Sequence, residues 1–326
     1  MKRLHLSIIS ALFAAILVSG FTSCASIDPF ADGGYSSEMA VLGAITSSVQ
    51  SIEKASETIT PEEEYYIGRS VAASIATTYP VDQGSYQMTS YLNKICETLV
   101  MNSDKPYLYK GYYVVILDTD EINAMATPGG HIFVSRGLID CTDSEDALAA
   151  VLAHEIAHVQ LGHSVQAIKA SRVRAAVSDT TKAVAVTGLV AANNRSGGLN
   201  LSEKEMEKVM EAVNVFSDAS NEVVKTLVNT GFSKEQEFEA DKNALYIMQS
   251  AGYDPYAMLD MLEQLEESPS NEGWGSTHPS PKDRIKKVNK ELSAMAKANP
   301  AMKEAKQVRK ERFNTEYEDY RIFEID

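Results

Sequence analysis

The stretch "AVLAHEIAHVQLGHS", residues 150–164, gathers three of the chain's six histidines onto a segment otherwise rich in alanine, leucine and valine. Burying an unpaired polar group among such residues costs roughly 1–3 kcal/mol. Something must compensate, and a metal ion is the first candidate. Upstream, in "CTDSEDALAA", Thr142 and Glu145 stand at capping-box spacing, and Ala147, Leu148, Val151 and Leu152 follow at helical spacing. The pattern predicts a helix that carries the histidines.

On such a helix His154 and His158, four residues apart, lie one above the other, so both imidazoles reach one ion. Glu155 is about 100° further round, within reach of a water on that ion. This H-E-x-x-H arrangement supplies two zinc ligands and a general base. His163 is about 140° round from His158 and is expected not to join the ion. A place at the helix C-terminus suits it better, where imidazolium meets the negative end of the dipole. A catalytic zinc needs a third protein ligand, and "EQEFEAD", 235–241, offers carboxylates. Glu237 and Asp241 are again four apart, which puts a ligand and a carboxylate that orients a ligating imidazole on one face. Spacing alone does not separate Glu235, Glu237 and Glu239, and a solvated acidic face is the competing reading.

"HEIAH" followed far downstream by "EFEAD" resembles the HtpX and CAAX-prenyl-protease family of gluzincin metallopeptidases, especially its soluble periplasmic lipoprotein members of the BepA and LoiP type. "NAMATPGGHIFVSRGLI" (123–139) is similar to the family's Asn-Ala-x-Ala…Gly-Gly strand region, and "THPSPKDRI" (277–285) is a further match. The resemblance covers about residues 61–290. It implies an α+β, mainly helical fold with a small antiparallel sheet beside the active-site helix. It also implies one zinc ion per chain, held by His154, His158 and Glu237, with Glu155 as general base and Asp241 in support. His278 and Arg284 are implied to approach the site. His278 then either donates to the oxyanion, with Arg284 adding positive charge, or occupies the open metal position and keeps the enzyme latent. The strand His131 to Ser135 is expected to receive an extended substrate as an added strand, with Asn123, Gly130, His131, Ile132 and Phe133 as binding residues. Membrane-embedded relatives carry spanning helices around these motifs, and BepA-like proteins continue into a helical-repeat module. Neither feature is read here, so partner docking through repeats is not implied.

The first residues, "MKRLHLSIISALFAAILVSGFTSC", combine a basic start, an apolar run from Leu6 to Phe21 and small polar residues before a cysteine, the pattern of an export signal. The run is shorter than the roughly 20 residues of a spanning helix, which favours cleavage. "FTSC" resembles a bacterial lipobox with Phe21 in the usual leucine place, implying a signal peptide over 1–23 and a lipid on Cys24. A tether follows over 24–60. The metallopeptidase domain is expected over 61–293, with a helical insert at 164–230 that reads either as a pair packed on the core or as a lid. A charged C-terminal segment, 294–326, completes the chain. Thr60, Pro61 and three glutamates signal a helix to about Thr78, a second helix is expected over 84–101, and Tyr112–Leu117 and "HIFVS" read as strands.

At 326 residues and 44% hydrophobic the chain can bury a substantial core, and a net charge of −15 without a basic stripe argues against nucleic acid. Cys96 and Cys141 read either as a disulfide of an exported protein or as two buried thiols. The expected function is a zinc endopeptidase acting on unfolded or misassembled envelope proteins, lipid-anchored at the outer membrane and facing the periplasm. The rivals are an envelope chaperone with gated proteolysis and a structural lipoprotein with a stabilising zinc.

Overall fold

The computed structural model describes residues 58–170, 223–267, 278, 281–295 and 300–323. These belong to one compact unit that spans 52–176 and 197–326. The expected signal peptide, Cys24, the expected tether up to residue 57 and residues 171–222 of the expected insert lie outside the described residues. Among the described residues no helix is long and apolar enough to cross a membrane.

Helix α1 (Pro61–Thr78) begins as its sequence requires. The Thr60 side chain accepts from the Glu63 amide while Glu63 reaches back to the Thr60 amide, and Pro61 takes the first helical position. Helix α2 (Tyr86–Met101) follows. Three strands then form one sheet, β1 (Tyr113–Leu117), β2 (Ala124–Ala126) and β3 (His131–Ser135), in the order β1-β3-β2. β2 and β3 pair antiparallel across the "TPGG" turn, as expected, but β1 and β3 are parallel. The sheet is therefore mixed rather than wholly antiparallel, because β3 inserts between the two strands that precede it. The turn leaves no choice of residue at Gly129: its φ is +76°, and a Cβ there would stand 2.6 Å from the Tyr65 Cα.

Side chains alternate across β3. Ile132 and Val134 join the core shared with α2 and the histidine helix, whereas Phe133 joins Ile67, Val71 and Ile75 of α1. The outer edge of β1 is closed by side chain and loop. Asn93 of α2 both donates to the Val114 carbonyl and accepts from its amide, each at 2.8–2.9 Å, and the Asp82 amide donates to the Ile116 carbonyl. Such plugging removes a template for strand addition.

A short α3 (Arg136–Cys141) leads to α4 (Glu145–Leu161), the histidine helix. Its cap is Ser144, which accepts from the Ala147 amide, rather than the expected Thr142; Thr142 instead donates to the Ile139 carbonyl and closes α3. From Glu145 to Gln160 every residue of α4 is buried. The helix is thus a central post, packed by α2, by α5 (Lys234–Ser250), by α6 (Ala257–Glu267) and by α8 (Pro300–Phe323), with α7 (Pro281–Ala294) against α5 and α6. The charged C-terminal segment is not a loose appendage. α8 puts Phe313 and Tyr320 into the main core, and its Arg309 and Arg312 pair with Asp146 and Glu145 at the start of α4. Cys96 and Cys141 are both free thiols, so the disulfide reading does not hold.

Candidate metal centre

Two helices bring the candidate ligands together. α4 presents His154 and His158 one turn apart. α5 starts with a capping box, Ser233 with Gln236, and so brings Glu237 and Asp241 onto its buried face, while Glu235 and Glu239 are exposed. Burial separates the three glutamates that spacing left equivalent.

His154 Nε2 lies 3.1 Å from His158 Nε2 and 3.5 Å from Glu237 Oε2, and His158 Nε2 lies 3.6 Å from Glu237 Oε1. A tetrahedral zinc with bonds of about 2.0–2.2 Å sets its ligand atoms about 3.3–3.6 Å apart. The two distances to the Glu237 oxygens have that size, and the distance between the imidazoles is slightly shorter. Glu237 Oε1 is buried and accepts no hydrogen bond, which is what an ion-binding oxygen requires in place of one. His278 joins the group: it is buried, its Nδ1 is 2.8 Å from Glu237 Oε2, and one ligand atom from each of the four residues lies within 4.8 Å of all the others. The donor set, imidazole and carboxylate with no thiolate, suits zinc.

Behind the ligands stands a fixed support. Asp241 Oδ1 is 3.0 Å from His154 Nδ1, where it accepts that nitrogen's proton in a hydrogen bond and would leave Nε2 to ligate an ion once Nε2 loses its own proton. Arg284 clamps the same carboxylate, Nε to Oδ2 at 2.9 Å and Nη2 to Oδ1 at 2.6 Å. Arg284 is wholly buried. Its Nε and Nη2 are committed to Asp241, while its Nη1 lies 3.9 Å from Glu237 Oε2, so its charge bears on the cluster from within the packed interior. A buried cation of this kind survives because its fork matches one carboxylate.

The charges follow from this packing. Burial opposes ionisation of Asp241, yet the Arg284 guanidinium holds its carboxyl down at about 2. Burial likewise opposes Glu237, and the imidazoles around it, His278 first, hold it well below the usual carboxylate range. Burial and Arg284 pull His154 down, but Asp241 and Glu237 outweigh them and keep it up at about 9. His158 goes the other way, lowered by burial and by the neighbouring His154. Burial raises Glu155, whose Oε1 accepts no hydrogen bond. A carboxylate kept dry and unpaired beside a metal triangle is placed to exchange a proton.

His163 departs from expectation. α4 stops at Gly162, in the left-handed conformation at φ +67°, and His163 opens the next helical turn. Its ring is buried, its Nδ1 lies 2.9 Å from His158 Nδ1, and burial lowers its pKa, which disfavours the imidazolium that a dipole role needs. Phe232, a residue the sequence did not single out, stacks on His158 with centroids 4.3 Å apart and planes 20° apart.

The expected substrate strand also moves. β3 is paired on both sides, the Gly130 carbonyl already accepts from the Tyr113 amide, and Ile132 and Phe133 are buried in opposite cores. Gly130, His131, Ile132 and Phe133 therefore offer no edge for an added strand. His131 stacks on Tyr65 at 5.5 Å instead. Among the described residues the unplugged edge is β2, which packs against α4. Asn123 donates to Ser135 Oγ and Ser135 donates to the Asn123 carbonyl, while Thr127 donates to the His131 carbonyl. This register turns the N–H and C=O of Ala124 and Ala126 outward. Asn123 sits at the start of that edge, buried, with its Oδ1 accepting no hydrogen bond.

The sequence model of Peptidase family M48 matches residues 87–292. The chain is 31% identical over 217 residues to the mitochondrial metalloendopeptidase OMA1 of Schizosaccharomyces pombe, covering 64% of this chain and 54% of that one. It is 27% identical over 207 residues to the beta-barrel assembly-enhancing protease of Escherichia coli K12, covering 61% and 37% respectively. To the metalloprotease LoiP of the same organism it is 28% identical over 193 residues, covering 58% and 64%. The chain thus spans between a third and two thirds of the length of these relatives, and α8 lies beyond the family match.

Proposed function

Because the chain belongs to peptidase family M48, we propose that it is a zinc metalloendopeptidase that hydrolyses peptide bonds of unfolded or misassembled cell-envelope proteins. The observation that carries this reading is the triangle of His154, His158 and Glu237 with Glu155 buried beside it. Bound there, zinc would supply a Lewis acid that polarises a carbonyl and acidifies a water. Glu155 takes a proton from the attacking water and returns it to the leaving amine. Asp241, clamped by Arg284, keeps His154 in the tautomer that can ligate.

The outer edge of β2 is the place for an extended substrate, with Ala124 and Ala126 supplying backbone bonds and Asn123 a side-chain amide. Pairing through backbone selects an extended chain rather than a particular sequence, which suits unfolded substrates. The export-type N-terminus, with Cys24 as the lipid site, and the likeness to a relative named for beta-barrel assembly support a periplasm-facing enzyme anchored at the outer membrane. A second reading, a chaperone with gated proteolysis, is favoured by one feature: His278 already stands among the ligands, 2.8 Å from Glu237.

The test is cleavage of an unfolded protein by the purified chain beside Glu155→Gln. The proposal expects both to retain zinc and only the parent to cleave; cleavage by Glu155→Gln refutes it. If neither cleaves, His278→Ala decides: a gain of activity marks a latent site, and continued silence favours the chaperone.

A further inference from the structure

The mechanism above leaves His163 unused, although it is the most deeply buried histidine besides His154. Its environment is specific. His163 Nδ1 and His158 Nδ1 are 2.9 Å apart, with rings 4.9 Å apart and 73° inclined. On the far side, His163 Nε2 faces Glu239 Oε2 at 3.5 Å, too loose for a hydrogen bond, with the Glu239 side chain 66% exposed.

Only one proton fits between two Nδ1 atoms at that distance. If His163 carries it, the neutral His158 must hold its own proton on Nε2, which points at His154 Nε2 and Glu237 and is then useless as a ligand. If His158 carries it, Nε2 has a free lone pair, and His163 has its proton on Nε2, facing the Glu239 carboxylate. The carboxylate favours that arrangement. The stack of Phe232 on His158 blocks rotation of the ring out of line.

We propose that His163 is a positioning residue for the metal ligand His158, accepting its Nδ1 proton and so fixing the tautomer whose Nε2 faces the ion. His154 receives the same service from Asp241, so the two imidazole ligands have unlike supports: an anion clamped by Arg284 for one, a neutral imidazole for the other. The inference rests on the zinc reading of the site, and its test does not depend on proteolysis.

Zinc affinity of the full chain is measured by competition with a chromophoric chelator, and thermal unfolding of each metal-free form is read alongside. Asparagine can place its Oδ1 where the Nδ1 acceptor of His163 stood; glutamine carries its amide to the Nε2 position and cannot. His163→Asn is expected to bind zinc within about threefold of the parent, and His163→Gln about 10–100-fold more weakly, the usual loss when a partner behind a ligand is removed. A role in packing alone would lower both variants alike. Equal affinities for Asn and Gln, or parent-like binding by Gln, overturn the positioning role. A parent that binds no zinc overturns the metal reading beneath it.

Discussion

Replacing Arg309 with methionine isolates what α8 does for the histidine helix. Arg309 donates Nε to Asp146 Oδ2 at 2.9 Å and Nη2 to Oδ1 at 2.8 Å, with the two side chains 10% and 1% exposed. The guanidinium also lies over the Tyr253 ring, 5.0 Å from its centroid. Methionine keeps most of the apolar stem but strands the Asp146 charge, and removing one partner of a buried pair costs about 3–5 kcal/mol. Asp146 keeps one bond, from the Asp254 amide at 2.8 Å, so the lower end, about 3 kcal/mol, applies. At roughly 2–4 °C per kcal/mol for a domain of this size, the midpoint should fall by about 6–12 °C. Arg312→Met is the control. Glu145 retains hydroxyl donors from Tyr91 at 2.8 Å and Tyr253 at 3.1 Å, and the Arg312 side chain is 49% exposed. About 1 kcal/mol is expected there, as for a solvated pair. Adding Asp146→Asn to Arg309→Met removes the stranded charge and should recover part of the loss. Scanning calorimetry at one fixed scan rate reads all four proteins. A fall of less than 2 °C for Arg309→Met, or a larger fall for Arg312→Met, would mean that the Arg309–Asp146 pair does not hold α8 to α4 in this way.

Burial pushes the Cys96 thiol up to about 12 and leaves it 2% exposed, whereas Cys141 is only partly buried. At pH 8 an alkylating reagent mapped by mass spectrometry should therefore modify Cys141 in the native chain and Cys96 only after denaturation; equal rates would contradict the packing of α2. His154 is held up at about 9 without an ion, so at pH 7.5 it carries a proton that ligation must expel. Calorimetric zinc titration in buffers of different ionisation enthalpy should show release of about one proton at pH 7.5, diminishing as the pH rises through 9. No release at pH 7.5 would mean that His154 is already neutral in the metal-free chain or does not ligate.

Much of the site was legible because its signals are local. The histidine pair shares a helical turn and the cap at Thr60 is written in neighbouring residues, whereas Glu237 stood out from Glu235 and Glu239 only through the family resemblance. What was missed depends on breaks or on distant partners. The angle assigned to His163 assumed a continuous helix, but Gly162 at φ +67° ends α4 one residue earlier and re-aims the ring. β2 is three residues of alanine and methionine, too short and too poor in β-formers to stand out, so the central position of β3 could not be seen. Arg284 and Arg309 carry charge in hydrophilic helices, and only the carboxylates opposite them, 43 and 163 residues away, explain their burial.

The central claim is that His154, His158 and Glu237 hold one zinc ion while Glu155 acts beside it without binding. Zinc content per chain, measured by elemental mass spectrometry on folded parent, His158→Ala and Glu155→Gln, tests it most directly. About one ion is expected in the parent and in Glu155→Gln and almost none in His158→Ala. Full zinc in His158→Ala, or loss of zinc from Glu155→Gln, would contradict it.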